Sequence, residues 1–110
     1  MRPIPQTVQQ RIAGVAASML AGHLGLREGC REIVRLHWGL SDSDIRDDDV
    51  MTMLAVDDEL ETVPMGAARE LWAPEALAQR EQRAAKYLDL MRENILRSCQ
   101  ALIAKWGPAA

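Results

Sequence analysis

The sequence predicts an all-α fold, a small helical bundle in which two N-terminal helices pack antiparallel on one long C-terminal helix. Its composition favours helix, because the chain has no Phe and one Tyr, and its core must be built mostly from Ala, Leu, Met and Ile. Apolar residues recur every three or four positions, and helix-capping signals flank these stretches. A length of 110 residues fits one domain, 1–110, with residues 1–6 and 107–110 expected to be flexible.

Two helices are predicted in the N-terminal part of the chain. Thr7 followed by Gln10 fits a capping box, so the first helix should begin after Thr7 and end at Gly25. The second helix should run roughly over Leu26–Trp38, with Gly39 as its end. It carries a stripe of cations spaced by four residues: Arg27, Arg31 and Arg35.

The longest predicted helix begins at Pro74, a residue suited to the first helical position, and ends at Gly107-Pro108. No Gly or Pro interrupts residues 75–106. At 1.5 Å per residue this helix would be roughly 50 Å long. The two N-terminal helices together match that length, so they should lie end to end along it. In this arrangement we expect Trp38 and Trp106 to meet.

A dense acidic segment connects the two helical halves. Between residues 41 and 62 the chain carries nine acidic residues and a single base, Arg46. The nine are Asp42, Asp44, Asp47, Asp48, Asp49, Asp57, Asp58, Glu59 and Glu61. Periodicity leaves helix and extended strand both open for the seven residues 50–56. Residues 57–64 are predicted to form a loop, and a short helical turn is predicted near residues 66–72.

The spacing of these acids does not match a known metal or catalytic arrangement. Asp42 and Asp44 resemble the start of a calcium loop, but Arg46 occupies the place of a third ligand and Asp47 the place of the glycine. Carboxylate catalysis needs two carboxyl groups held at a fixed distance, which adjacent aspartates on a loop do not provide. We therefore predict no catalytic residue, metal or cofactor. The two leading interpretations are a solvated loop neutralised in part by the arginine stripe and a docking surface for a basic protein, with a metal or carboxylate site as the minor alternative.

The histidines and cysteines are predicted to have structural roles. His23 and His37 should lie on the apolar faces of the first two helices, near their ends. Cys30 and Cys99 have no zinc-ligand spacing, so we expect reduced residues on helix faces. A disulfide between them is the alternative, and it would require an oxidising compartment.

Composition argues against several functional classes. A net charge of -3 does not suit a general nucleic-acid binder, which usually presents a basic face. No apolar run approaches the roughly 20 residues that span a membrane, and the N-terminus lacks a secretory apolar region. We therefore expect a cytoplasmic protein.

Two stretches carry a resemblance: Gly22–Arg31, and Val56–Trp72 continued by Pro74–Leu77. They are similar to a group of small bacterial proteins in which an acidic loop leads into a Pro-x-Gly turn, an Arg, a Trp and a long C-terminal helix. The resemblance implies a bacterial helical protein and no particular activity. It also implies that the acids of residues 57–61 form one unit with Pro64, Gly66, Arg69 and Trp72. Arg69 would then be the cation nearest to those carboxylates.

The leading functional expectation is a non-enzymatic protein-binding module. Its most concrete form is an immunity protein or antitoxin that neutralises a basic toxin or effector through the nine acids, with Trp72 as an anchor. One alternative is a small metal-dependent or carboxylate enzyme that uses the acidic loop with His37. Another is a structural homodimer through the long helix.

Overall fold

The computed structural model describes residues 7–108, and this part of the chain consists of helices and loops. The α-helices are α1 (Val8–Leu20), α2 (Leu26–His37), α3 (Asp48–Leu60) and α4 (Pro74–Trp106), with two short 3-10 helices, Asp44–Arg46 and Gly66–Leu71. The all-α prediction is confirmed. None of the helices in the described range is long and apolar enough to cross a membrane. The predicted flexibility of residues 1–6 and 109–110 concerns positions outside the described residues.

Local capping signals place most helix ends where the sequence predicts them. The Gln10 amide donates to Thr7 Oγ1 over 3.1 Å, and the Thr7 amide donates to Gln10 Oε1 over 3.0 Å, which completes the capping box. Pro74 opens α4 as predicted. The end of α1 differs from the prediction, because the helix stops at Leu20 and Gly25 instead precedes α2 as its N-cap.

The connection from α1 to α2 is a tight turn. Gly22 adopts a φ of 78°, a left-handed conformation that favours glycine. His23 follows within this turn and is exposed, so its predicted place on the apolar face of α1 is wrong. His37, in contrast, is buried at the end of α2 and donates from Nδ1 to the Val34 carbonyl oxygen.

The acidic segment contains a helix that the sequence left undecided. Residues 50–56 belong to α3, and this helix continues to Leu60. The predicted loop over residues 57–64 is therefore wrong in its first half. The helix continues because Met53, Val56 and Leu60 follow a three-to-four spacing and are all buried in the core.

Successive helices run antiparallel, which gives an up-down-up-down bundle. The contacts that show this are Met19 with Gly29 and Val8 with Gly39 for α1–α2, Arg27 with Leu60 and Cys30 with Met53 for α2–α3, and Asp49 with Lys105 and Glu59 with Tyr87 for α3–α4. The molecule measures 50 × 30 × 28 Å, and its long dimension matches the length predicted for α4.

The placement of α2 differs from the sequence-based arrangement. α1 packs on α4, as predicted, but the second helix on α4 is α3. α2 lies diagonally opposite α4 in the bundle; it packs against α1 and α3 and has few contacts with α4. The physical reason is that α3 presents its own buried apolar face, which occupies the side of α4 that the sequence analysis assigned to α2.

Each α-helix contributes one sulfur-containing side chain to the centre of the bundle. Cys30 Sγ lies 3.5 Å from Met53 Sδ, and Cys99 Sγ lies 3.8 Å from Met19 Sδ. Both thiols are free and fully buried, so the expectation of reduced cysteines on helix faces is confirmed. Burial, with smaller contributions from Cys99 and Asp57, raises the pKa of Cys30 to about 12, and burial raises the pKa of Cys99 to about 11. The thiols are therefore protonated at neutral pH and act as apolar packing groups.

Arg27 connects the start of α2 to the end of α3 through hydrogen bonds. Its guanidinium donates to the carbonyl oxygens of Leu60, over 3.3 Å, and of Val63. Partial burial, followed by the nearby charge of Arg31, lowers the pKa of Arg27. A cation at a helix C-terminus also interacts favourably with the helix dipole.

We expect Arg27→Met to lower the free energy of unfolding by about 1–2 kcal/mol, because two carbonyl groups lose a charged donor. The measurement is urea denaturation followed by circular dichroism. Arg35→Met is the matched control on the same helix. Within residues 7–108 Arg35 forms a salt bridge only with Glu32, at the surface, and its loss should leave the free energy of unfolding nearly unchanged. Equal effects of the two substitutions would contradict a capping role for Arg27.

Candidate protein-binding surface

α3 separates the nine acids into two groups. A helix of 13 residues is about 20 Å long, so its two ends are far apart on the scale of a side chain. The first group lies at the start of α3 and comprises Asp42, Asp44, Asp47, Asp48 and Asp49. The second group lies at its end and comprises Asp57, Asp58, Glu59 and Glu61. The acidic segment is therefore not one continuous cluster.

Most of the first group stabilises the fold. Asp47 is the N-cap of α3, and its Oδ1 accepts from the backbone amides of Asp49, over 2.9 Å, and Val50, over 3.2 Å. The Lys105 ammonium at the end of α4 donates to Asp47 and, over 2.8 Å, to Asp49. Burial by itself raises the pKa of Asp47, but the Lys105 hydrogen bond and the two backbone amides outweigh it and hold that pKa below its usual range.

The other members of the first group differ in their surroundings. Asp44 accepts a 2.6 Å hydrogen bond from Gln9 of α1. Asp42 and Asp48 are exposed and form no ion pair with any part of residues 7–108. Three of the five first-group acids are thus committed to intramolecular contacts.

The second group is more available to a partner. Asp57 pairs with Arg31 over 3.3 Å. Asp58, Glu59 and Glu61 are exposed, and no cation in the described range forms a salt bridge with them. The end of α3 therefore presents three carboxylates that are still solvated.

The cations lie in places other than those predicted. Arg69 forms a salt bridge with Glu81 over 2.7 Å, so the prediction that it would be the cation nearest to the acids of residues 57–61 is wrong. The reason is that α2 runs beside α3 and brings Arg31 to Asp57, while Arg69 follows the chain to the start of α4. Of the arginine stripe, only Arg31 neutralises an acid of α3.

The tryptophans also have unexpected surroundings. Trp72 is half-buried, and the Arg80 guanidinium lies 5.2 Å from its ring centroid. Trp38 is 74% exposed, and its ring packs on that of His37 with centroids 4.4 Å apart. No aromatic contact within residues 7–108 joins Trp38 to Trp106, so the predicted meeting of these two rings is wrong.

Trp38 lines a groove between α2 and α3, which we call the α2–α3 groove. Its volume is about 550 Å³. The lining residues are Val34, Trp38, Met51, Leu54, Ala55, Asp57, Asp58 and Glu61. Met51, like Trp38, is a large apolar side chain that the fold leaves open to solvent, with 50% of its surface exposed. An apolar groove thus lies directly beside the solvated carboxylates of the second group.

Sequence reasoning missed this groove because it left the conformation of residues 50–56 open. Once the segment is helical, Val50, Met53 and Val56 point into the core, and Met51 and Leu54 fall on a second face. A helix that is apolar on more than one side must bury the additional face against another element or expose it. That second apolar face was the available signal.

The other clefts are less suited to bind a charged partner or a metal ion. A groove of about 500 Å³ lies between the start of α2 and the middle of α4, but its charged residues have mixed sign, and Arg69 and Glu81 within it pair with each other. Among residues 7–108 there is no group of three or more His, Cys, Asp or Glu side chains arranged to hold a metal ion.

In comparisons with known proteins, no protein-family model, curated protein or solved structure matches the chain. The resemblance to small bacterial helical proteins stays a prediction.

Proposed function

We propose that this chain is a non-enzymatic protein-binding module that docks a basic protein, and that it acts as an immunity protein or antitoxin by covering a toxin or effector. The observation that carries the proposal is the juxtaposition at the end of α3. Two exposed carboxylates, on Asp58 and Glu61, line the apolar α2–α3 groove and form no salt bridge with any cation of residues 7–108. Glu59 is also exposed, but it faces α4, near Tyr87.

Each half of this surface suits one part of binding. Solvated carboxylates of one sign speed the encounter with a positive partner and select against acidic proteins. An exposed Trp next to apolar neighbours is typical of the residues that contribute most of the affinity in protein interfaces. Together they favour binding of a basic partner over a purely solvated loop.

The proposed surface contains fewer residues than the binding surface predicted from the sequence, which comprised the nine acids and Trp72. It centres on Asp57, Asp58 and Glu61, the members of the second group that line the groove. Asp47 and Asp49 already bind Lys105, so a partner would have to displace that cation to gain from them. Trp72 packs with Arg80, so Trp38 replaces it as the proposed anchor.

The test is capture of a partner with charge-reversed variants. The immobilised chain is incubated with lysate of its native host, and retained proteins are quantified by mass spectrometry. We expect a basic protein that is retained at 50 mM NaCl, released at 500 mM, and lost with Asp58→Lys/Glu61→Lys. One equivalent of the chain should then inhibit the activity of that purified partner at least tenfold.

The matched control is Glu75→Lys/Glu93→Lys, which changes net charge equally at two exposed positions of α4. It should retain the partner. A partner that is lost with both double variants would indicate a general charge effect, and a partner unaffected by either would contradict the acidic surface. A partner that is bound but not inhibited would contradict the immunity or antitoxin role.

A further inference from the structure

We infer that the α2–α3 groove receives an amphipathic basic helix of the partner. In this arrangement apolar side chains of the helix contact Trp38 and Met51, and its Lys or Arg residues contact Asp58 and Glu61. The inference rests on the proposed function and specifies which kind of partner segment the surface recognises.

The geometry of the groove fits a helix. α2 and α3 lie side by side and antiparallel, and a third helix packs in the depression between two such helices at an interaxial distance of about 8–10 Å. The apolar and acidic lining of α3 runs from Met51 to Glu61. Ten residues of helix cover about 15 Å, so the groove matches about three turns of a partner helix.

The apolar part of the groove is suited to insertion of side chains. Trp38 keeps 74% of its surface exposed, and its ring contacts the buried ring of His37 with centroids 4.4 Å apart. Met51 lines the same groove and has a flexible thioether that adapts to the shape of an inserted side chain. In helix-in-groove recognition the bound helix inserts apolar side chains, spaced by three and four residues, into a hydrophobic groove.

The charge distribution selects the sign of the partner and its direction. The acids of the groove, Asp57, Asp58 and Glu61, all lie toward the end of α3. The negative end of the α3 dipole lies there as well. The basic residues of the partner helix should therefore concentrate at one end and its apolar anchors near Trp38.

The same distribution disfavours a second copy of this chain as the occupant. Two-fold pairing through the groove would bring the acids of one copy against the acids or against the apolar end of the other. Neither arrangement supplies the cations that Asp58 and Glu61 lack within residues 7–108.

The experiment uses a fluorescein-labelled synthetic peptide of about 14 residues, with Leu spaced by three and four and Lys toward one end. Fluorescence anisotropy with the full chain should give saturable binding in the micromolar range. We expect Trp38→Ala to weaken binding at least tenfold, and Asp58→Lys/Glu61→Lys to do the same. Leu90→Ala removes a side chain that is 82% exposed on α4, and it should leave binding unchanged.

Two control peptides separate a helix from mere charge. One has the same composition in an order without an apolar face, and the other carries two prolines at its centre. Binding of all three peptides with equal affinity, or an unchanged affinity for Trp38→Ala, would overturn the inference. So would a Trp38-dependent dimer in analytical ultracentrifugation, because the occupant would then be a second copy.

Failure of this inference can be told apart from failure of the proposed function. If the captured native partner is lost with Asp58→Lys/Glu61→Lys but retained by Trp38→Ala, the acidic surface binds without a helix in the groove. If neither variant affects the partner, both the proposed function and the inference fail.

Discussion

Leu102→Ala is expected to lower the free energy of unfolding by about 2–5 kcal/mol, the largest effect of any substitution considered in this protein. Leu102 is fully buried on α4, in the core that α1 and α3 form against that helix. Truncation removes buried methyl groups and leaves a cavity that the surrounding helices fill only partly. A single domain is stable by only about 5–15 kcal/mol, so the variant should unfold at a much lower urea concentration.

The control for this prediction is Leu90→Ala on the same helix. Leu90 is 82% exposed, and its loss should change the free energy of unfolding by less than about 0.5 kcal/mol. Both variants are measured by urea denaturation with circular dichroism. Comparable effects of the two would show that this side of α4 does not form the core.

Asp47→Ala is expected to lower the free energy of unfolding by about 1–2 kcal/mol. The substitution removes the N-cap of α3, a change that typically costs about 1 kcal/mol, and it also removes a partner of Lys105 in a partly exposed ion pair. Asp47→Asn should have a smaller effect, because the amide oxygen still accepts from the backbone of α3. Asp42→Ala, at an exposed acid of the same group, should be nearly neutral.

The contribution of Asp47 should depend on pH in a defined direction. Its pKa is lower in the folded protein than in the unfolded chain, so the folded state binds the proton less tightly. The stabilisation is therefore complete above the unfolded pKa, about 4, and is lost as pH falls through the folded pKa. Urea denaturation at pH 7, 4 and 3 should show the gap between wild type and Asp47→Ala narrowing below about pH 4. A gap that stays constant over this range would contradict the ion pair with Lys105.

Parts of the fold were accessible from the sequence because they depend on neighbours along the chain. The capping box of Thr7 and Gln10 forms within one helical turn, and Pro74 suits the first position of α4 through its own ring geometry. The uninterrupted residues 75–106 predicted both the existence and the length of α4. The short helical turn near residues 66–72 also depends on neighbours along the chain, and it was correctly predicted.

Other features depend on residues that are distant in the sequence. Residues 50–56 became helical together with residues 57–60 because their apolar face packs on α2 and α4. That packing placed Arg31 beside Asp57 and Lys105 beside Asp47 and Asp49, at sequence separations of 26 to 58 residues. No pattern along the chain contains this information.

By itself, the sequence determined the all-α class, most of the helix ends and the acidic content of the middle segment, because composition, spacing and capping are local properties. The tertiary structure decided which acids bind internal cations and which stay solvated. It also decided that Trp38 and Met51 remain exposed beside Asp58 and Glu61. The physical reason is that burial and ion pairing depend on which helices become neighbours, and in this bundle α3, not α2, packs against α4.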